Sequence, residues 1–336
     1  MKILVVRRDN IGDLVCTTPL LAALKKAKPE GWIGALVNSY NAPVLDRNPD
    51  LDAVVAYRKL KHLVPGESAL GALGERVASL WRLRQAKLDA VVLATPGQAT
   101  RGLRLARWLA PKAIAGFDDG SPAARSLDLR VPRGDLERLH EVEHVFSLAR
   151  LFGIDGPAPP LVLEPDPLAI AKARTALGGR PGRTIGIHIS ARRKSQRWPV
   201  ERFVGLARAL LERGARPVLL WSPGPADHPQ HPGDDDKAAR IAHLLGSGAI
   251  AYPTPQLRIL IGMLAVCDAV ICPDGGAMHL AAALQKPVVA LFGDSPVERW
   301  RPWGVRHRVL VAPSRDVGDL GVEEVLAAYD AVVAPA

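Results

Sequence analysis

Ile3-Leu4-Val5-Val6, followed at once by Arg7-Arg8-Asp9-Asn10-Ile11-Gly12-Asp13, decides the architecture. Four consecutive apolar residues cut off by charge fit a strand buried on both faces of a parallel sheet. The polar loop Arg7 to Gly12 then leads into a predicted helix over 13–28, which stops before Pro29. The cadence repeats, with strands at 33–37, 53–57 and 89–93 and a helix over 70–85. Alternating strands and helices of this kind build a doubly wound α/β sheet.

Residues 116–138 read as polar and irregular, and 140–152 as a helix. The stretch 153–167, with five prolines from Pro157 to Pro167, is the best linker in the chain. Beyond it the α/β pattern restarts. Strands are expected at 184–189, 217–221, 269–272 and 288–292, and helices over 200–213, 235–245, 257–267 and 276–284. The expected fold is therefore two Rossmann-like doubly wound domains, residues 1–160 and 161–318, facing a central cleft at their strand ends. A last helix in 319–336 is expected to pack back on the first domain.

Composition narrows the partners. At 48% hydrophobic and 23% charged, the 336 residues are those of a globular chain. The formal net charge of +10 favours anions: nucleic acid, an acidic membrane surface or phosphorylated substrates. Aromatics at 5% are thin for base stacking and no nucleic-acid motif is present, so nucleic acid is not expected. Cys16, Cys267 and Cys272 have neither disulfide nor zinc spacing and read as small core residues. The N-terminus does not read as a signal peptide and no apolar run is long enough to span a membrane, so a cytoplasmic protein is expected.

Three strand-end loops carry the chemistry. In the first, Gly12 permits a tight turn, and Asp13 suits either a helix N-cap or a carboxylate general base. Neither a P-loop nor a Gly-x-Gly-x-x-Gly fingerprint is present. In the second, Pro273-Asp274-Gly275-Gly276-Ala277-Met278-His279, two glycines open a helix N-terminus whose free amides favour an anion. Asp274 suits a cap or a sugar hydroxyl, and His279 lies one turn further on. The third, Arg192-Arg193-Lys194-Ser195-Gln196-Arg197-Trp198-Pro199, is cationic and suits a diphosphate leaving group, though such a run is also an ordinary solvated loop. A weaker candidate is Asp227, in a Pro- and Gly-rich loop after a strand, as a ribose contact. Asp234-Asp235-Asp236 reads as a helix N-terminal cluster rather than a metal site.

Taken in order, these motifs resemble glycosyltransferase family 9, the lipopolysaccharide heptosyltransferases. Arg7 to Asp13 with Thr18-Pro19-Leu20-Leu21 is similar to its amino-terminal signature, and Lys194 with Trp198-Pro199 and Phe203 to its central stretch. Asp274 to Ala283 with Lys286-Pro287-Val288-Val289-Ala290-Leu291-Phe292-Gly293 is similar to its donor-site signature, although many members carry Thr-Gly-Pro where this chain has Asp274-Gly275-Gly276-Ala277. The resemblance implies a GT-B fold and an inverting, metal-independent transfer of heptose from ADP-heptose to a lipid-linked saccharide, with no cofactor beyond the nucleotide sugar. It implies Asp13 as base and Lys194 near the donor phosphates. It matches Asp274, Gly275, Gly276, Ala277 and His279 to the donor loop and Asp227 roughly to a ribose or base contact, while Gly12, Arg192 and Arg197 are expected donor contacts from their own loops. Peripheral contact with an anionic membrane, at the inner face of the inner membrane, is also expected. Rival readings are a GT-B transferase with another nucleotide sugar, an epimerase of similar architecture, or a nucleotide-sugar-binding protein without turnover.

Overall fold

The computed structural model describes residues 1–57, 69–95, 99–179, 181–228 and 232–334. The chain divides into two compact units, Met1–Glu164 and Pro165–Ala336, the division falling within the Pro-rich stretch.

In the first unit six parallel strands run β1 (Lys2–Arg7), β2 (Trp32–Asn38), β3 (Ala53–Tyr57), β4 (Ala90–Leu93), β5 (Ala113–Asp118) and β6 (Leu129–Pro132). Their spatial order is β3-β2-β1-β4-β5-β6. The chain works outward from β1 to one edge, then returns to β4 on its other side. The C-terminal ends of β1 and β4 thus form the point where winding reverses, the usual ligand crevice of an open α/β sheet. Ile3, Leu4, Val5 and Val6 are all buried, as the sequence requires of a central strand. Around the sheet lie α1 (Ile11–Val15), α2 (Thr18–Ala27), α3 (Ala69–Gln85), α4 (Ala99–Leu109) and α5 (Glu141–Phe146).

The expected helix over 13–28 is two helices, α1 and α2. Pro19 has no N–H to give to Val15, and the Thr18 hydroxyl donates to that carbonyl instead, at 2.8 Å. The Thr17 hydroxyl likewise donates to the Asp13 carbonyl at 2.8 Å. Residues 116–138 are not wholly irregular, since they hold the end of β5 and all of β6. The helix expected over 140–152 is α5 followed by a 3-10 turn, Ser147–Phe152.

The second unit repeats the plan. Its strands are β7 (Thr184–His188), β8 (Arg216–Trp221), β9 (Ile250–Pro253), β10 (Ala269–Pro273), β11 (Val288–Phe292) and β12 (His307–Val311). Read from β9 the order is β9-β8-β7-β10-β11-β12, the same topology, with the winding reversal between β7 and β10. Its helices are α6 (Pro167–Leu177), α7 (Val200–Glu212), α8 (Asp235–Leu245), α9 (Leu257–Val266), α10 (Gly276–Ala283), α11 (Val297–Trp300) and α12 (Val322–Val333). Trp198 is fully buried, meets Phe203 edge-on at 5.0 Å, and donates its Nε1–H to the Leu320 carbonyl at 3.0 Å. Val325, Leu326, Ala328, Tyr329 and Val332 of α12 join the core of the second unit, where the helix packs on α7, β11 and β12.

Candidate active site

The loop after β1 is built around a buried guanidinium. Arg7 is 1% exposed, yet three carboxylates surround it: Asp13 at 2.6 Å, Glu141 at 2.7 Å and Asp9 at 2.9 Å. Its Nη1 also donates to the Ala94 carbonyl just past β4, so the group bridges both strands of the winding reversal. Burial alone would favour loss of its proton, but Asp13, Glu141 and Asp9 outweigh that and raise its pKa further. Sequence reasoning assigned Glu141 no role. It is fully buried and lies 134 residues from Arg7, so no local spacing links the two.

Asp13 is the third residue of α1, not its cap. Asn10 caps the helix, and Asp13 Oδ2 accepts from the Asn10 backbone N–H at 3.2 Å and its Nδ2 at 2.9 Å. Oδ1 takes Arg7. Oδ1, with Arg7 as its one donor, keeps a second lone pair, and the side chain is 14% exposed, so an incoming hydroxyl has an acceptor to meet. Burial pushes the carboxyl upward, but Arg7 and the Asn10 hydrogen bonds win and hold it below the ordinary carboxylate range. Asp9 goes the other way: burial dominates, and Arg7 only partly offsets it. Asn38, Tyr40 and Asn41 donate to the backbone carbonyls of residues 8–10 and fix the loop's path. Gly12 is buried in the first turn of α1.

In the second unit the winding reversal gathers the other two motifs. The loop after β7 carries Arg192, Arg193 and Lys194, all exposed, and a 3-10 turn over Lys194–Gln196. Gln196 is buried and donates through Nε2 to Asp274 at 2.9 Å and to Ser295 at 3.0 Å, joining the loops after β7, β10 and β11. Arg193 meets Asp294 at 3.2 Å, and a Cβ on Gly293 would lie 2.8 Å from the Ser195 carbonyl. Gly293 is thus needed for close approach of two backbones. Gln196, Asp294 and Ser295 were missed as site residues. Their signal was position, since each follows the carboxyl end of a strand near the reversal.

Gly275 caps α10 at φ 155°, ψ −167°, a conformation essentially reserved for glycine. The next amides, of Gly276, Ala277 and Met278, open a helix eight residues long and have no partners within it. Asp274 is half-buried, and burial raises its pKa against the hydrogen bonds of Ser295 and Gln196 and the charge of Arg193. His279 is only 2% exposed and stands edge-on to Trp300, with ring centres 5.9 Å apart.

Arg197 turns inward. Its Nε donates to the Ala191 carbonyl at 2.9 Å, and Nη1 lies 3.8 Å from Asp234, which is 2% exposed. Its buried Nη2 has no hydrogen-bond partner among the described residues. Lys237 completes this corner, donating to the Ile189 carbonyl at 3.1 Å, and burial brings its pKa down to about 8 despite Asp234. Asp227 is exposed on the loop after β8, of which residues 229–231 lie outside the described residues. Asp235 closes that loop by accepting from Trp221 Nε1 at 2.7 Å and the Gly224 amide at 2.9 Å. With Asp236 it fills the first turn of α8, as the sequence reading has it.

These features can be set beside known proteins. Lipopolysaccharide heptosyltransferase 2 of Salmonella typhimurium is 25% identical over 92% of this chain and 88% of its own length. Lipopolysaccharide heptosyltransferase 1 of Escherichia coli K12 is 24% identical over 97% and 98%. The fold of a family 9 glycosyl transferase from Veillonella parvula superposes with a TM-score of 0.82 at 19% identity, over 98% of this chain and 96% of that one. That of E. coli heptosyltransferase WaaC, solved with ADP, gives 0.79 at 22% identity over 99% and 100%. The family model described as glycosyltransferase family 9 (heptosyltransferase) matches residues 77–327, and the chain belongs to that family.

Proposed function

We propose that this glycosyltransferase moves heptose from ADP-heptose onto a saccharide of the lipopolysaccharide core, or a related lipid-linked acceptor, with inversion and without a metal ion. The observation that carries the reading is the Arg7–Asp13 pair, a largely buried carboxylate held ionised at a strand end by a guanidinium. Support comes from the relatives, named as lipopolysaccharide heptosyltransferases, and from one solved structure of that fold holding ADP.

In the proposed reaction an acceptor hydroxyl donates its proton to Asp13 while its oxygen attacks the anomeric carbon. The bond from that carbon to the diphosphate breaks on the opposite side, and the electron pair leaves with the nucleotide. The first unit supplies the base. The second supplies charge for the departing diphosphate: Lys194 and Arg192 from the exposed loop, the partnerless Nη2 of Arg197, and the amides of Gly276 and Ala277. In this reading Asp274 accepts a sugar hydroxyl, and the Gln196 hydrogen bond orients it. His279, buried under Trp300, backs the donor loop from within, and Asp227 is the remaining candidate for a ribose contact.

Asp13→Asn keeps the shape and removes the base. Its kcat is expected to fall by ~10²–10⁴-fold with ADP affinity unchanged. A folded variant with wild-type turnover would refute the assignment. A chelator should leave the rate as it is, and a strict Mg²⁺ requirement would overturn the metal-free route. The proposal places the chain at the cytoplasmic face of the inner membrane, in peripheral contact with anionic lipid. No helix among the described residues is long and apolar enough to cross a membrane.

A further inference from the structure

Helix α3 presents an unexpected outer face. Leu73, Val77 and Trp81 recur every four residues and are 42%, 54% and 52% exposed. At such positions a surface helix ordinarily carries charge, its apolar residues being turned to the core. Here the core-facing role belongs to Leu80 and Leu83, so the outer stripe is additional to the packing face. Trp108 of the neighbouring α4, 40% exposed, extends the patch, its ring centre 6.4 Å from that of Trp81.

The charges on these two helices are one-sided. Arg76, Arg82 and Arg84 on α3 and Arg104 and Arg107 on α4 stand against the single acid Glu75 among the described side chains. The Arg84 guanidinium lies 5.5 Å over the Trp108 ring and donates to the Trp108 carbonyl, so aromatic and cation are held together. Tryptophan with arginine above an aliphatic stripe matches a lipid interface, where indole settles at headgroup depth and long basic side chains reach the phosphates. A second copy of the same face would set like arginines against each other. Nucleic acid would gain nothing from Leu73 and Val77, which have no ring to stack on a base.

We propose that the α3–α4 face docks the first unit on an anionic bilayer, with Trp81, Trp108, Val77 and Leu73 entering the headgroup layer and the arginines binding lipid phosphates. The inference deepens the reading of a lipid-linked acceptor and rests on it for its purpose. Its test does not depend on turnover.

The test is co-sedimentation of the full chain with phosphatidylcholine vesicles, with and without phosphatidylserine. Partition onto the anionic vesicles is expected to be at least ~10-fold stronger and to weaken as salt rises. Trp81→Ser/Val77→Ser should lose about 10-fold of that partition while transferring sugar to a delipidated, soluble acceptor as the wild type does. Arg104→Glu/Arg107→Glu, at exposed positions, gives a second reading and should abolish the preference for anionic lipid. Equal binding of the wild type to both vesicles would overturn the inference, as would variants that bind like the wild type. So would a drop in oligomeric state in the serine variant, which would mark the stripe as a protein contact. A chain that transfers sugar to the soluble acceptor but ignores vesicles refutes the docking alone. A chain that binds vesicles and transfers to no acceptor refutes the transferase reading alone.

Discussion

Replacing Arg7 by methionine is the sharpest perturbation of the first unit. Methionine matches the stem of arginine and removes only the guanidinium, leaving Asp9, Asp13 and Glu141 around an apolar group. Glu141 is fully buried and the other two side chains are 17% and 14% exposed. Breaking a buried ion pair from one side costs about 3–5 kcal/mol, because the orphaned charge stays desolvated. The partial exposure of Asp9 and Asp13 gives water some access, which puts the expected loss near ~3 kcal/mol. The pH dependence should also invert. In the wild type the lowered pKa of Asp13 contributes stability that is present above the ordinary carboxylate pKa and lost as pH falls through the folded value. Without Arg7 burial, the largest influence on Asp13, meets only the Asn10 hydrogen bonds, so its pKa rises above its unfolded value, and Asp9, already raised by burial, climbs further. Stability is then full at low pH and drains as pH rises through the raised values, at up to ~1.4 kcal/mol per pH unit for each proton. Hydrogen exchange of the β1 and β4 amides reads this unit separately from the other. A variant protected within ~1 kcal/mol of the wild type at neutral pH, with no gain on acidification, would refute the claim that Arg7 holds the cluster together.

Gln196→Ala should uncouple the loops after β7 and β10. Of the two hydrogen bonds lost, the one to Asp274, about 1 kcal/mol, implies roughly fivefold weaker ADP binding by calorimetry, and unchanged affinity would count against that coupling. A Cβ on Gly262 would lie 2.6 Å from Ala169 Cβ and 2.7 Å from its carbonyl carbon, so Gly262→Ala should pry α6 from α9. The expected cost is ~1–3 kcal/mol by thermal unfolding, and an unshifted melt would show that the helices can part freely. Burial pushes the Cys267 thiol up to about 12 and the Cys272 thiol higher still. A thiol reagent at neutral pH should therefore label neither until the second unit unfolds, and rapid native labelling would contradict their burial.

The central strands were legible because both their faces are covered. Ile3–Val6 and Val288–Phe292 are continuous apolar runs with every residue buried. The edges were not. β6, β9 and β12 stand at sheet margins, half exposed, and their sequences Leu-Arg-Val-Pro, Ile-Ala-Tyr-Pro and His-Arg-Val-Leu-Val lack that run. The fourth edge, β3, was read, as Ala-Val-Val-Ala-Tyr keeps enough apolar character. The break between α1 and α2 was in plain view as Thr17-Thr18-Pro19, but the apolar periodicity ran on through it. At the site, residues next to their strand ends were found from local spacing. Glu141 and Gln196 were not, since what makes them matter is a partner brought near by winding: Arg7 for one, Asp274 for the other.

The placement of α12 bears on how the protein is made. Its hydrophobic face seals α7, β11 and β12, yet more than a hundred residues of synthesis separate it from α7. On the ribosome the first unit can close as soon as it has emerged. The nascent second sheet must wait with one flank uncovered until Val332 has cleared the exit tunnel. For that interval the side of α7, β11 and β12 that meets α12 stays open to solvent.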